Sequence, residues 1–267
     1  MRLLATPLAL LLGLAPPAGA EGLFVSGHDA DAFAIWGRAY LNAGLDYLAF
    51  GRAAKGPEER AGVRVAYVMQ GWPEVAARLA RDGWDAAFFE MGNYAGPDGA
   101  RVPPRDWEAV FDGGFDIIMT GLGGNGGAKY REGLDPAWRR AEYVASKERF
   151  AAFVAGGGGL YVNDPHLFGP SWYDFVPHFE GIESHQRTAR YGTTRATPEG
   201  IAIGLTQEVA DRSHVHSTFT GLVPGRFTVF EVDEETGRPV AFGMRGQHEP
   251  TGPPGAPGAG DPPGRSS

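Results

Sequence analysis

Apolar residues along this chain gather into short continuous runs, separated by stretches with helical spacing. Leu23, Phe24 and Val25 form the first run. Residues 63–69 (VRVAYVM), 85–91 (DAAFFEM), 115–120 (FDIIMT) and 160–162 (LYV) form four more. Runs this short that are apolar at successive positions predict strands buried on both faces. Between them, residues 31–50 carry Phe33, Ile35, Tyr40, Leu41, Leu45 and Leu48 at helical spacing, with a break predicted near Gly44. Pro73 opens a helix through Ala80, and Gly83 closes it. A short helix is predicted around residues 107–111. Asp135 and Pro136 cap a long helix through Ala155, which the glycines at 156–159 stop. Strands alternating with helices at this spacing predict right-handed βαβ units and an α/β fold with a mostly parallel sheet.

After His166 the pattern changes. Trp172, Tyr173, Phe175, Val176 and Phe179 cluster, and apolar runs follow at 200–206, 214–221, 227–233 and 239–245. Residues 233–237 read as a tight turn joining the last two runs into an antiparallel hairpin on the edge of the sheet.

The ends have a different character. Arg2, an apolar run from Leu3 to Leu14 and the Ala18-Gly19-Ala20 triplet describe a secretory signal peptide cleaved after Ala20. An uncleaved N-terminal anchor is the other reading, although the run is short for a membrane span. Residues 246–267 are more than half Gly and Pro and lack Leu, Ile, Val and Phe. Such a segment buries too little to offset its ordering entropy, so a disordered tail is expected. Residues 21–245 then make one domain. The chain is 267 residues long and has no cysteine, which excludes disulfides and a thiol nucleophile. A net charge of -8 argues against non-specific nucleic-acid binding, which needs a basic footprint.

Four motifs in order carry a resemblance. They are Gly-His-Asp-x-Asp at 27–31, the strand ending in a Gly-rich turn (FDIIMTGLGG), a helix leading into GGGLY at 157–161, and His-x-x-Phe at 216–219 before the closing hairpin. Together they resemble the class I glutamine amidotransferase-like fold on its trehalose-utilisation (ThuA-like) side, in particular an exported bacterial group with GHDxD near the mature N-terminus. The resemblance covers residues 23–245. It implies a flavodoxin-like three-layer sandwich with sites at the C-terminal edge of the sheet. In amidotransferases of this fold a cysteine follows the strand equivalent to 160–162. Here that turn is Asn163-Asp164-Pro165-His166, so the nucleophile of a glutaminase is missing. Members of the group it resembles often carry a further histidine shortly after the second Asp, where this chain has Ala32-Phe33-Ala34.

Candidate site residues follow the predicted strands, where open α/β sheets place their ligands. Ser26, Gly27, His28, Asp29 and Asp31 end the first strand. They offer a metal site or an acid-oriented base, and the two Asp also suit helix capping. Gly121 and Gly123 lie in a Gly-rich turn that suits a loop over the site better than a phosphate cradle. Asn163, Asp164 and His166 follow the fifth strand, with Asp164 held extended by Pro165. A local turn is the other reading for Asp164. His214 and His216 would share a face of a strand, as a metal pair requires, or lie in a polar loop. Trp172, Tyr173 and Phe175 read as core in preference to a sugar-stacking surface.

Three functions fit this pattern. The first is an exported protein without amidotransferase activity, binding a polar small molecule or carbohydrate through His28, Asp29, Asp164, His166 and His216. The second is a hydrolase, acid–base or metal-assisted, using His28 with Asp164 or His216, with a divalent metal drawn from His28, Asp29, His214 and His216. The third is a structural or interaction module whose pocket is a relic, the interaction reading predicting an exposed apolar patch around residues 172–179.

Overall fold

In the computed structural model, the described residues are 22–28, 30, 36–69, 73–90, 107–121, 136–163, 170–190, 193–212 and 215–246. The expected signal peptide falls outside them, as does the expected tail apart from Gly246, and so do Asp29, Asp31, Gly123, Asp164, His166 and His214.

The first half alternates strands and helices: β1 (Gly22–Ser26), α1 (Trp36–Phe50), α2 (Pro57–Arg60), β2 (Arg64–Met69), α3 (Glu74–Arg81), β3 (Asp85–Glu90), α4 (Trp107–Asp112), β4 (Ile117–Thr120), α5 (Pro136–Ala145), α6 (Lys147–Ala155) and β5 (Gly159–Asn163). A 3-10 helix (Pro170–Phe175) follows, then β6 (Glu183–Arg190), β7 (Thr194–Ala196), α7 (Pro198–Ala202), α8 (Gln207–Asp211), β8 (Val215–Thr220), β9 (Thr228–Asp233) and β10 (Pro239–Arg245). The fold is α/β. An 8-stranded sheet runs in the order β3-β2-β4-β5-β1-β10-β9-β7, and β6 and β8 pair separately as a 2-stranded antiparallel sheet. Pairings from β3 through β1 are parallel, and those from β1 through β7 are antiparallel.

The continuous apolar runs have the cause that their pattern predicts: the sheet is covered on both faces. Phe24 belongs to a hydrophobic cluster with Tyr40, Leu45 and Leu48 of α1 and Val75 and Leu79 of α3. Its neighbour Val25 belongs to another, with Trp107 of α4, Tyr143 of α5, Phe150 of α6 and Trp172. Successive strand residues point to opposite faces, so both must be apolar.

Three expectations need correction: the hairpin at the sheet edge, the single long helix to Ala155 and the break near Gly44. The hairpin of β9 and β10 is not at the sheet edge: β10 pairs with β1, β9 pairs with β7, and β7 is the edge strand. The chain returns to add β7 beyond the hairpin, a non-local pairing that turn chemistry does not report. The run at 200–206 supplies part of α7 and the turn after it; Thr197 caps α7 by accepting from Gly200 N at 3.0 Å, and Pro198 takes the first turn. The long helix to Ala155 is two helices meeting at Ser146, where φ is -96° and ψ is 6°. The ladder still crosses this joint, because Ser146 N reaches Glu142 O (3.2 Å) and Phe150 N reaches Ser146 O (3.0 Å). It is therefore a kink.

Helix α1 passes Gly44 without a break. A Cβ there would stand 2.1 Å from the Tyr161 ring and 2.8 Å from Phe24. The glycine allows α1 to lie close on β1 and β5.

Candidate functional site

The parallel strands β1, β4 and β5 end side by side, bringing Ser26, Thr120 and Asn163 to one edge of the sheet. Ser26 is in register with Asn163 on one side and with Ala241 of β10 on the other, and Ala241 pairs in turn with Glu231 of β9. Phe24 and Ala241 both contribute to the cluster under α1. By strand alternation Ser26 shares that face with Phe24.

Beyond Ser26 the chain is pinned. Gly27 N donates to Val240 O (2.8 Å), while Gly27 O accepts from His216 N (2.8 Å) and Ser217 N (3.2 Å). A Cβ at Gly27 would lie 2.1 Å from Ser217 O, so β8 can approach this closely only because the residue is glycine. His28 N donates to Ser26 Oγ (3.1 Å), and His28 pairs across an antiparallel bridge with Val215.

This docking turns the His28 ring to a partner that sequence reading missed. His28 Nε2 lies 2.8 Å from Glu231 Oε2, and Tyr40 of α1 donates its hydroxyl to the same oxygen, also at 2.8 Å. The His28 and Tyr40 rings are 4.6 Å apart at 58°. His28, Glu231 and Tyr40 are each 0% exposed. Burial pushes the Glu231 carboxyl up, but the charge and hydrogen bond of His28, with the hydroxyls of Thr194 and Tyr40, outweigh it. The net result lies below the ordinary glutamate value. Burial, the charge of Glu231 and Tyr161 hold the Tyr40 phenol well above its ordinary value, opposed by a hydrogen bond with Ser26.

On the other side of Ser26, Asn163 is fully buried. Its Nδ2 reaches Thr120 O only at 3.5 Å, and its Oδ1 has no hydrogen-bond partner among the described residues. A buried amide oxygen at the end of a central strand is an acceptor that an ordered water or a ligand donor can satisfy.

Of the residues singled out from sequence, Ser26, Gly27, His28 and Asn163 meet at this edge. His216 joins them through its backbone and is itself 4% exposed. Gly121 follows β4, with its N–H donating to Val68 O (3.2 Å). Asp29, Asp31, Gly123, Asp164, His166 and His214 lie outside the described residues, as does any convergence of Asp164 with the two histidines. Among the described residues no group of three or more His, Asp or Glu side chains is placed to hold a metal ion.

Comparison with protein-family models, with curated proteins and with solved structures finds no match to this chain. The functional reading therefore rests on the geometry above and on the sequence motifs.

The aromatic cluster is core, as its composition suggested. Trp172, Tyr173, Phe175 and Val176 are at most 1% exposed and pack against Tyr143, Phe150 and Phe219. The exposed apolar patch that an interaction module would need at 172–179 is accordingly absent there. A cleft of about 320 Å³ lies beside this cluster, lined by Tyr173, Val176, Phe179 and Ile182 and rimmed by Lys147, Asp174 and Glu180. Its apolar lining belongs to the cluster on the face away from Tyr40.

Glu231 left one faint signal in the sequence. It is an acid flanked by Phe230 and Val232 in a strand rich in residues suited to burial. Buried charges are paired, so such a residue implies a partner. Tyr40 left none, because its helical spacing already accounted for it as core.

Proposed function

We propose that this chain is an exported, ThuA-like member of the class I glutamine amidotransferase-like superfamily that lacks amidotransferase activity. In this reading it binds a polar small molecule or carbohydrate at the C-terminal edge of its sheet. The observation that carries the proposal is a histidine just past the end of β1, oriented by the buried Glu231 side chain and one strand away from the amide oxygen of Asn163, which has no hydrogen-bond partner among the described residues. Hydrogen-bonding groups converging past parallel strands are what a polar ligand site in an open α/β sheet requires. Hydrophobic clusters on both faces of the sheet agree with a flavodoxin-like three-layer sandwich. The absence of any cysteine from the chain supports the loss of glutaminase chemistry. Export rests on the signal-peptide pattern of residues 1–20, and no helix among the described residues is long and apolar enough to cross a membrane.

The test is a thermal-shift screen of the mature protein with mono- and disaccharides, polyols and small amides, followed by calorimetry on any hit. A hit whose affinity falls at least tenfold in Asn163→Ala supports the site. A hit with unchanged affinity in that variant places binding elsewhere, and a screen without hits removes this ligand class.

The oriented histidine also favours a second reading, an acid–base hydrolase in which His28 activates water. Ester and glycoside turnover by the wild type, lost in His28→Gln, would establish it. Turnover that persists in His28→Gln would dismiss it. A divalent metal held by His28 with Asp29, His214 or His216 would add a metal-assisted variant, and elemental analysis of the purified protein tests that directly.

A further inference from the structure

The 8-stranded sheet ends at β7, so one side of the β7 backbone is turned away from the sheet. Which groups lie on that side follows from the pairing on the other. Thr193 O accepts from Glu234 N at 2.9 Å, and Thr197 N donates to Phe230 O, also at 2.9 Å, so these residues turn their backbone groups inward to β9. By alternation the backbone groups of Thr194 and Ala196 turn outward. There they meet Gln207, the first residue of α8. Its Nε2 donates to Thr194 O at 2.8 Å, and its Oε1 accepts from Ala196 N at 3.0 Å. We infer that Gln207 is an edge guard: its carboxamide takes the place of a neighbouring strand on β7 and keeps a second copy of this chain from extending the sheet there.

In a parallel pair, one residue donates its N–H to a carbonyl of the next strand and accepts from the N–H two positions further along it. The Gln207 carboxamide makes this pair of bonds from a side chain. Asp211, one helical turn on, fixes its orientation, because Nε2 also donates to Asp211 Oδ1 at 2.7 Å. Turning the amide over would set its oxygen against two acceptors and its nitrogen against a donor, so the three bonds hold one orientation. An added strand running in either direction needs Thr194 O and Ala196 N, and both are taken. A strand able to add is present in every copy: the other end of the sheet is β3, and residues 86–89 (AAFF) along it are only half-buried. Joining one end of the sheet to the other end of the next copy is a contact that need not close, and it would build open chains. This inference goes beyond the ligand site and does not depend on it.

Hydrogen exchange of the full chain reads the guard directly, and sedimentation velocity over a wide range of concentration reads its consequence. In Gln207→Ala the Ala196 amide should exchange about tenfold faster, the loss of one ordinary hydrogen bond, and the protein should associate at lower concentration than the wild type. Thr206→Ala is the control. It removes the hydroxyl that accepts from Val209 N at 3.3 Å and loosens α8 while keeping the carboxamide, so its association should match the wild type. Asp211→Ala releases the carboxamide but leaves Gln207 in place, and should move both readouts in the same direction as Gln207→Ala by a smaller amount. Unchanged Ala196 exchange in Gln207→Ala, or sedimentation like the wild type at every concentration, overturns the inference. So does association of Thr206→Ala as strong as that of Gln207→Ala, because loosening of α8 would then be the cause. Should Gln207→Ala fail to fold, Asp211→Ala decides by the same two readouts.

Discussion

His28 Nε2 and Glu231 Oε2 lie 2.8 Å apart although 203 positions separate them in the chain, and both side chains are 0% exposed. The pair joins the loop after β1 to the middle of β9, across the intervening strand β10.

Removing one member should therefore cost more than removing both. Glu231→Leu removes the carboxylate from the buried His28 ring, a change worth about 3–5 kcal/mol. The double variant His28→Leu/Glu231→Leu exchanges the pair for apolar volume and should recover part of that loss. Urea denaturation of the two single variants and the double variant measures the coupling. Additive losses would mean that the pair does not act as a unit.

The same carboxylate sets a pH dependence. Its folded value is depressed, so the unfolded chain binds the proton more readily. The stability it contributes is fully present above the unfolded value of roughly 4.3, and it is lost as pH falls through the lower folded value. Wild type should lose stability more steeply than Glu231→Gln as pH falls below about 5. Denaturation midpoints at a series of acidic pH values test this, and parallel curves would refute it.

At the alkaline end the sign reverses. Burial pushes the Tyr47 phenol up to about 12, with Arg245 opposing. This contribution is complete below the ordinary phenol value of roughly 10 and is lost as pH rises through the folded one. Ultraviolet titration of the native protein should show a phenol absent from Tyr47→Phe and ionising near 12. A difference spectrum with its midpoint near 10 would mean that Tyr47 is solvated.

Gly44→Ala separates local propensity from packing. In an isolated helix the change stabilises by about 1 kcal/mol. In α1 the new methyl meets the Tyr161 ring at 2.1 Å and Phe24 at 2.8 Å, so the protein should lose about 1–3 kcal/mol. A higher melting temperature in the variant would show that α1 can lift from the sheet at no cost.

The strands and most helices were legible because their cause is local. A strand covered on both faces must be apolar at successive positions, and β1, β2, β4 and β5 carry that mark in their own residues. The kink at Ser146 and the unbroken passage of α1 through Gly44 were not legible, since both depend on what lies against the helix. At the site, strand ends pointed to Ser26, Gly27, His28 and Asn163, because every parallel strand delivers its last residues to the same edge. The partner of Glu231 was out of reach: Glu231 sits in the body of β9, and only the insertion of β10 beside β1 brings it to His28 and Tyr40.

The sequence by itself determined an α/β chain with a mostly parallel sheet, the aromatic core at 172–179 and the lack of any thiol chemistry. Each follows from residue type and spacing, which act over a few positions. Tertiary structure alone decided that β7, not the hairpin, closes the sheet, that Tyr40 is a hydrogen-bond donor as well as core, and that His28 faces Glu231. Those outcomes depend on pairings between distant segments, whose register is set by the packing of the whole sheet.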